Sequence, residues 1–592
     1  MKSPGLTRRN VLIWIAAGLV VYSAAAALTL RQAAALAQDS RRTLEHTAGS
    51  PALDLLDDPD LAERTRDASH DLEKSHGLLD SLILRPIRIV PVAGRQLSSA
   101  RALSGSAADL ALAASLGFAE LNRIRSAEGV DGPERVEQLE QIRVVLQDLQ
   151  GTVDDLDAGP GNGLVQSLSD ARAQFLVEQA ELSTELHRAH VITTGMIDFL
   201  KGPNTYLVFG ANNAEMRAGS GAYLSFATLE IESGNLSLSG FEASRESFPV
   251  PGVEIPDKDA AARWSFVPIN EDWRRVNYSP RFDEVSGPLA KALHEATYGT
   301  SIDGVMAVDP IMLQAILEVV GELEIGGSRI GPDDVLAELF VDQYRGVDSD
   351  EENTLRTGKL EQVASRVVAA LEESNWDPVD LIEALEPAAA GRHLLAWSPR
   401  PKQGAMWDEL ELTGHYSPTT LSVNLMSSNG SKLDPFLDLD VAMEAEILGD
   451  SARRVTLEVQ IENQTPEFPS DLRYLLGPYK GLDRPPGSYS GRVVFNLPGI
   501  SSNQGVVDRV VEVHGPDGNS VAVSTVVYLE RGESVTILAE FDLPLSVQEI
   551  VVESSARVPA VQWQSGDLTW TDARRRTVVF GSAMAGLLGL VD

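Results

Sequence analysis

The stretch YLVFGANNAEMRAGSGAYLSF, from Tyr206 to Phe226, decides the fold of the middle of this chain. Its first five residues, Tyr206–Gly210, form a short apolar run that predicts a buried strand. Small and polar residues follow over Ala211–Gly221, and the C-terminal end of a strand is where open α/β sheets place their ligand sites. The stretch therefore predicts a sheet with a ligand site at one end.

The segments around this stretch alternate between strand and helix patterns. Turn residues at Glu232–Gly234 separate two further strand patterns, and Pro310 opens a helix directly after another. The predicted strands are Ala222–Ile231, Asn235–Gly240, Gly304–Val308 and His393–Trp397. This alternation predicts an α/β (α+β) core over residues 201–400.

The regions on either side of the core have different periods. Residues 31–200 are predicted to be helical, and the apolar positions from Leu139 to Leu156 follow heptad spacing. That stripe favours the seam of an antiparallel helical bundle, with a dimeric coiled coil as the alternative. After His415 the period becomes two, as in Val455–Glu462, and turn residues recur between such runs. Residues 415–572 are therefore predicted to form a β-sandwich.

The N-terminus predicts a membrane anchor. Val11–Leu30 is a run without charged residues that is long enough to cross a bilayer as a helix. Lys2, Arg8 and Arg9 precede it, so residues 1–10 are predicted to be a cytoplasmic tail and the bulk to be extracytoplasmic. The alternative is a signal peptide cleaved after Ala35–Ala37. The apolar C-terminal segment, residues 573–592, is predicted to be interfacial or packed in a core.

Composition excludes several classes of function. The chain has 592 residues, a formal net charge of −37 and no cysteine. Such a charge argues against a nucleic-acid partner, which needs clustered Lys and Arg. It also argues against tight docking on anionic lipid, except through a local basic patch. The lack of cysteine excludes thiol catalysis, Cys-ligated zinc, iron–sulfur clusters and disulfides.

The candidate binding chemistry rests on arginines near the sheet, because the common phosphate-loop, zincin and hydrolase motifs are missing. Arg217 follows the Tyr206–Gly210 strand, and Arg245 follows the third strand. Guanidinium groups bind phosphate and carboxylate through a rigid fork of donors. The two side chains are predicted to converge on such an anion; the alternative is that both are surface arginines.

Three stretches resemble the bacterial "domain of unknown function 4012" family. They are Pro86–Gly94, Tyr206–Gly221 and Asp303–Pro310. The resemblance implies an N-terminal span, a helical segment, an α/β core and a β-rich tail. The core is also similar to the LytR-CpsA-Psr phosphotransferases, through Ser244–Glu246, Asp303–Val308 and Arg356–Leu360.

This second resemblance implies a site for a polyprenyl pyrophosphate carrier. It implies an arginine-lined clamp with Arg217 and Arg245 as catalytic residues and a metal site for Mg²⁺ at Glu246. The implied ligand-binding residues are Asn213, Glu215, Arg217, Arg245, Arg356 and Lys359. The early Asp of those enzymes is replaced here by Gly221 and Ala222, Arg by Lys359, and Gln by Leu360.

Three functions remain open at this point. The chain is predicted to assist cell-envelope polysaccharide assembly at the bacterial cell membrane by binding a lipid-linked or glycan phosphate. The first alternative is an active glycopolymer phosphotransferase of the LytR-CpsA-Psr type. The second is a non-catalytic scaffold for other envelope proteins.

Overall fold

A computed structural model describes residues 22–38, 40, 58, 60–126, 131–325, 328–347, 350–373, 378–428, 430–477, 483–581 and 588–591. The chain divides into two compact units. The first comprises residues 1–130 and 137–194, and the second comprises residues 131–136 and 195–592.

The first unit is helical, as predicted. Residues 22–38 are helical. The further helices with most of their residues in this unit are α1 (Leu61–Leu79), α2 (Pro91–Arg125), α3 (Gly132–Asp154) and α4 (Gln166–Lys201). Helices α1 and α2 pack closely because small side chains line their contact. The hydroxyls of Ser69, Ser104 and Ser115 donate to backbone carbonyls of the facing helix.

Residues 11–21 of the predicted span Val11–Leu30 lie outside the described residues. Residues 22–30 of that span are helical. Among the described residues, the helix Pro91–Ile124 is long and apolar enough to cross a membrane by length and composition. This helix is internal rather than N-terminal, and 33% of its apolar window is buried.

The second unit contains the predicted mixed core. Its strands are β1 (Asn204–Met216), β2 (Gly221–Glu232), β3 (Asn235–Ala243), β4 (Gly304–Val308), β5 (Leu323–Ile325), β6 (Ser328–Ile330) and β7 (Leu394–Trp397). Its helices are α5 (Lys258–Arg263), α6 (Gly287–Tyr298), α7 (Pro310–Val320), α8 (Pro332–Phe340), α9 (Asp350–Glu373), α10 (Pro378–Ala390) and α11 (Pro401–Glu409). Proline stands in the first turn of α6, α7, α8 and α11, where its missing N–H costs nothing.

The main sheet of the core has the order β3-β2-β1-β4-β7. Strand β1 pairs antiparallel with β2 and parallel with β4, and β4 pairs antiparallel with β7. The strand predicted to end at Gly210 is longer in the structure. Strand β1 continues to Met216 and is buried there. Sequence period alone does not show this, because the polar residues of that stretch contact partners that are 96 to 343 residues away in the chain.

Side chains alternate across this sheet as strand geometry requires. Leu207, Phe209 and Tyr223 point to a core that includes Trp264 and Trp273. Val208, Gly210 and Asn212 line the opposite face, below helices α7–α9. The two faces therefore have different roles: one packs a solid core, and the other bounds a cavity.

The C-terminal part is built from two sheets around one core. The strands are β8 (Thr420–Ser427), β9 (Leu437–Leu448), β10 (Ala452–Asn463), β11 (Tyr489–Pro498), β12 (Ser502–Val506), β13 (Val511–Asp517), β14 (Ser520–Leu529), β15 (Ser534–Pro544), β16 (Glu549–Val552), β17 (Gln562–Ser565), β18 (Leu568–Thr571), β19 (Arg576–Phe580) and β20 (Leu588–Val591), with a short helix α12 (Arg473–Leu476).

Their orders are β12-β15-β10-β9-β17-β18 and β13-β14-β11-β8-β16-β19-β20. The period-two residues Val455, Leu457, Val459 and Ile461 all enter the core, as the alternation predicts. The apolar C-terminal segment supplies β19 and β20, so it extends the sheet beyond residue 572.

Candidate functional site

An apolar cavity lies between the main sheet and helices α7–α9 of the second unit. Its volume is about 350 Å³, within the range of small-molecule sites. Its walls include Val208 and Met306 from the sheet, Leu313 from α7, and Val363 and Val367 from α9. Polar groups are few and include Asn212 and Asp309. The cavity is therefore suited to a hydrocarbon with one polar end.

Asp309 directly follows β4, and Asn212 lies two residues beyond Gly210, the last residue of β1 that pairs with β4. The Asn212 Nδ2 donates to the Tyr344 hydroxyl at 2.6 Å, and its Oδ1 accepts from the Ala214 N–H at 3.0 Å. Asp309 is the N-cap of α7. This is the sheet edge that the sequence predicts to hold a ligand.

Asp309 has its acceptor capacity filled. Its Oδ1 accepts from the N–H groups of Ile311 and Met312 at 2.9 and 3.2 Å. Its Oδ2 accepts from the Asn213 amide at 2.7 Å and lies 2.6 Å from His393 Nδ1. A carboxylate offers about four acceptor positions. Asp309 is therefore an organising group for the sheet edge and has no oxygen position left for a metal ion.

A buried charge cluster lies beyond β1, where Glu215 contacts two cations. Arg217 Nη2 lies 2.8 Å from Glu215 Oε1, and Lys432 Nζ contacts Oε2. Burial would raise the pKa of Glu215, but the charges of Lys432 and Arg217 outweigh it and lower that pKa to about 2. The carboxylate therefore stays ionised between its two partners.

Arg217 is only 6% exposed, and its donors are directed at interior groups. Its Nη1 donates to the carbonyls of Met216 and Ser427 at 2.9 and 3.2 Å. The guanidinium also lies 5.6 Å from the centre of the Tyr278 ring. These contacts tie the end of β1 to the β-sandwich.

Asp434 and Arg557 extend the cluster into the β-sandwich. Asp434 Oδ2 accepts from the Met216 N–H at 3.1 Å, and Arg557 Nη2 donates to the Asp434 carbonyl at 3.0 Å. Burial raises the pKa of Asp434 to about 6, although Arg557 opposes the rise. Among the described residues, Asp434 Oδ1 and Arg557 Nε have no hydrogen-bond partner. The cluster thus holds one carboxyl group that titrates close to neutrality.

The other predicted site residues lie elsewhere. Arg245 follows the edge strand β3, and its Nη2 lies 2.7 Å from Glu246 Oε1. The structure brings Asn213, Glu215 and Arg217 into one buried region, and it places Arg245 and Glu246 two strands away. In the part of the chain that the structure describes, neither arginine borders the cavity.

Arg356 and Lys359 lie in α9, whose later residues form a wall of the cavity. The side chains of residues 350–360 are outside the described set. Their predicted role stays a prediction.

A group of possible metal ligands is found away from the cavity. Asp283, Glu284 and His415 each offer a ligand atom within 4.8 Å of the others. Glu284 contacts Arg281, and His415 Nδ1 lies 2.8 Å from Asp283 Oδ2. Glu246, the predicted Mg²⁺ ligand, is not in this group.

Sequence reasoning missed the groups that organise the sheet edge. A signal for Asp309 was present, because Asp directly before Pro310 is a helix start. His393, Lys432, Asp434 and Arg557 gave no local signal, since each meets its partner only through the tertiary fold.

The comparison with known families now adds a finding. Residues 201–344 match the sequence model of a family described as "Protein of unknown function (DUF4012)". The matched region runs from the start of the core to Tyr344, and it confirms the resemblance to that family. No curated protein and no solved structure matches the chain.

Proposed function

We propose that this protein binds a lipid-linked phosphate at the outer face of the bacterial cell membrane and assists cell-envelope polysaccharide assembly. The hydrocarbon of the carrier occupies the cavity below the main sheet. The phosphate lies at the polar end of the cavity, and the glycan faces solvent. The N-terminal apolar run anchors the chain as a single-pass membrane protein with its bulk extracytoplasmic.

The observation that supports this proposal is the apolar wall of the cavity. Side chains from strands β1–β4 and helices α7–α9 contribute to it, and most of them are apolar. Each CH₂ group moved from water into such a space stabilises the complex by about 0.8 kcal/mol. A polar metabolite would lose hydrogen bonds to water there without replacement. The wall therefore favours an isoprenoid or acyl chain.

Cations for the phosphate are expected from the first half of α9. Position 356 precedes Val363 by seven residues, and position 359 precedes it by four, so helical spacing assigns all three to one face. Helix α9 begins six residues after Tyr344, whose hydroxyl accepts from Asn212. Arg356 and Lys359 are therefore proposed as phosphate ligands.

A binding role fits the carboxylates of Asp309 and Glu215 better than a transfer reaction does. Asp309 uses both oxygens for four N–H contacts, and Glu215 uses both for buried cations. A magnesium-dependent phosphotransferase of the LytR-CpsA-Psr type needs a carboxylate with a free oxygen. In this proposal Arg217 does not contact the ligand. It holds the end of β1 in place through its contacts with Glu215 and Ser427.

The test measures binding of farnesyl pyrophosphate to the full-length chain in nanodiscs, with Ala364→Phe as the perturbing variant. Ala364 lines the cavity, so the added ring occupies the space of the ligand tail. Ala369→Phe, on the same helix and outside the cavity wall, is the matched control. We expect tenfold or greater weakening in the first variant and wild-type affinity in the second. Equal affinity in both variants would reject the cavity as the site.

A second arm tests the phosphate end. Arg356→Ala and Lys359→Ala should each weaken farnesyl pyrophosphate binding by roughly tenfold to a hundredfold, because a hydrogen bond to a charged group contributes about 1.5–3 kcal/mol. Farnesol binding should stay unchanged, and Arg366→Ala on the same helix should have little effect. If magnesium-dependent release of the glycan from a lipid-linked donor is observed, the chain is a transferase instead.

A further inference from the structure

We infer that the turn between α1 and α2 docks on the surface of an anionic lipid bilayer. This segment, Ser81–Val92, is called here the apolar tip. The inference concerns the first unit, and it does not depend on the cavity of the second.

The apolar tip exposes side chains that are normally buried. Leu82, Ile89 and Val92 are 73%, 84% and 68% exposed, and Ile83 and Val90 are 41% and 52% exposed. Five large aliphatic residues thus face solvent within one short turn. Contiguous apolar surface of this kind marks a site that contacts a membrane or a protein.

The apolar tip is also rigid enough to present this surface. A 3₁₀ turn over Arg85–Ile89 holds its centre. Leu84 is fully buried beneath it, together with Leu79 and Leu97. At Gly94 a Cβ atom would lie 2.4 Å from the Arg88 carbonyl oxygen, so the turn fits tightly against α2. This packing beneath the turn therefore holds the exposed apolar residues in place.

The charge around the apolar tip is opposite in sign to that of the chain. Between Leu79 and Ala108 there are four arginines, at 85, 88, 95 and 101, and one acidic residue, Asp80. The chain as a whole has a net charge of −37. Arg88 and Arg101 both contact Asp80, while Arg85 and Arg95 are exposed. A basic rim around an apolar surface is the combination that binds anionic headgroups and acyl chains together.

The direction of the N-terminal helix identifies the bilayer as the partner. Ala26 and Ala33 pack beside Leu79 and Leu84, whereas Ala37 packs farther along, beside Leu72. Towards its N-terminus, the helix at residues 22–38 therefore approaches the apolar tip. The apolar run Val11–Leu30 overlaps this part of the helix, so a span formed by that run would leave the bilayer next to the tip.

The test uses the absence of cysteine from the natural sequence. Ile89→Cys, labelled with an environment-sensitive nitrobenzoxadiazole group, gives one fluorophore in the full-length chain. The labelled protein is reconstituted into phosphatidylcholine vesicles with or without phosphatidylglycerol, and brominated acyl chains serve as quenchers. We expect a blue shift and strong quenching at position 89, and both should increase with phosphatidylglycerol.

Leu116→Cys is the matched control, because Leu116 is 55% exposed and lies in α2, outside the apolar tip. It is about 36 Å from Val92 along the helix axis. Its fluorophore should be neither shifted nor quenched. Arg85→Glu combined with Arg95→Glu should remove the effect of phosphatidylglycerol at position 89. Equal signals at positions 89 and 116 would overturn the inference, and so would a shift at 89 that depends on protein concentration and not on lipid.

Discussion

Replacing Glu215 by Gln should destabilise the end of strand β1. The substitution keeps the shape of the side chain and removes its charge, which leaves Arg217 and Lys432 buried beside an amide. The pKa of Glu215 is lowered from 4.5 to about 2, because its two cations outweigh burial. At about 1.36 kcal/mol per pH unit, this difference corresponds to about 3 kcal/mol of stability from the charged form.

The sign of the pH dependence follows from linkage. A carboxyl group with a lowered pKa contributes its full stability above pH 4.5, and that contribution is lost as the pH falls towards about 2. The difference between wild type and Glu215→Gln should therefore be largest near neutral pH. It should shrink in acid.

Hydrogen exchange of peptides from β1, read by mass spectrometry, measures this local stability. A loss of about 3 kcal/mol corresponds to about a hundredfold loss of protection. Glu444→Gln, at an exposed position of β9, is the control and should leave protection unchanged. Protection within about threefold of wild type in Glu215→Gln, a difference of under about 1 kcal/mol, would refute the reasoning about this cluster.

Three further predictions concern single positions. Burial raises the pKa of Asp434 to about 6, so its contribution to stability falls as pH rises from 3.8 to about 6; Asp434→Asn should flatten the dependence of Tm on pH over this range. Asp309→Ala should lower stability by roughly 2–4 kcal/mol in calorimetry, because it removes the cap of α7 and leaves the buried His393 unpaired. Gly304→Ala places a Cβ 2.2 Å from the Tyr206 ring, and we expect a loss of about 1–3 kcal/mol in the same assay.

Local patterns in the sequence predict the elements of the core and the sandwich well. A short apolar run identifies the strand Gly304–Val308, and period-two alternation identifies the strand at Val455. The helix after Asp309 is predicted by Pro310, and it begins there. These features depend on neighbours in the chain, which a sequence shows directly.

The candidate site is harder to predict, because its parts meet only after folding. Glu215 and Lys432 are 217 residues apart, and Asn213 contacts the carbonyl of Ala556. The polar residues at Asn212–Arg217 follow the predicted strand Tyr206–Gly210, and in the structure residues of the β-sandwich contact several of them. The cavity is likewise absent from any local pattern, since α9 and β1 form opposite walls of it.

The central claim is that a hydrocarbon chain occupies the cavity, and photolabelling tests it most directly. A prenyl pyrophosphate with a diazirine on its tail is bound to the full-length chain in nanodiscs, irradiated, and mapped by peptide mass spectrometry. We predict labels on Val208, Met306, Leu313 and Val367, which farnesyl pyrophosphate should suppress. Labels confined to other segments, or labels that farnesyl pyrophosphate does not suppress, would contradict the account.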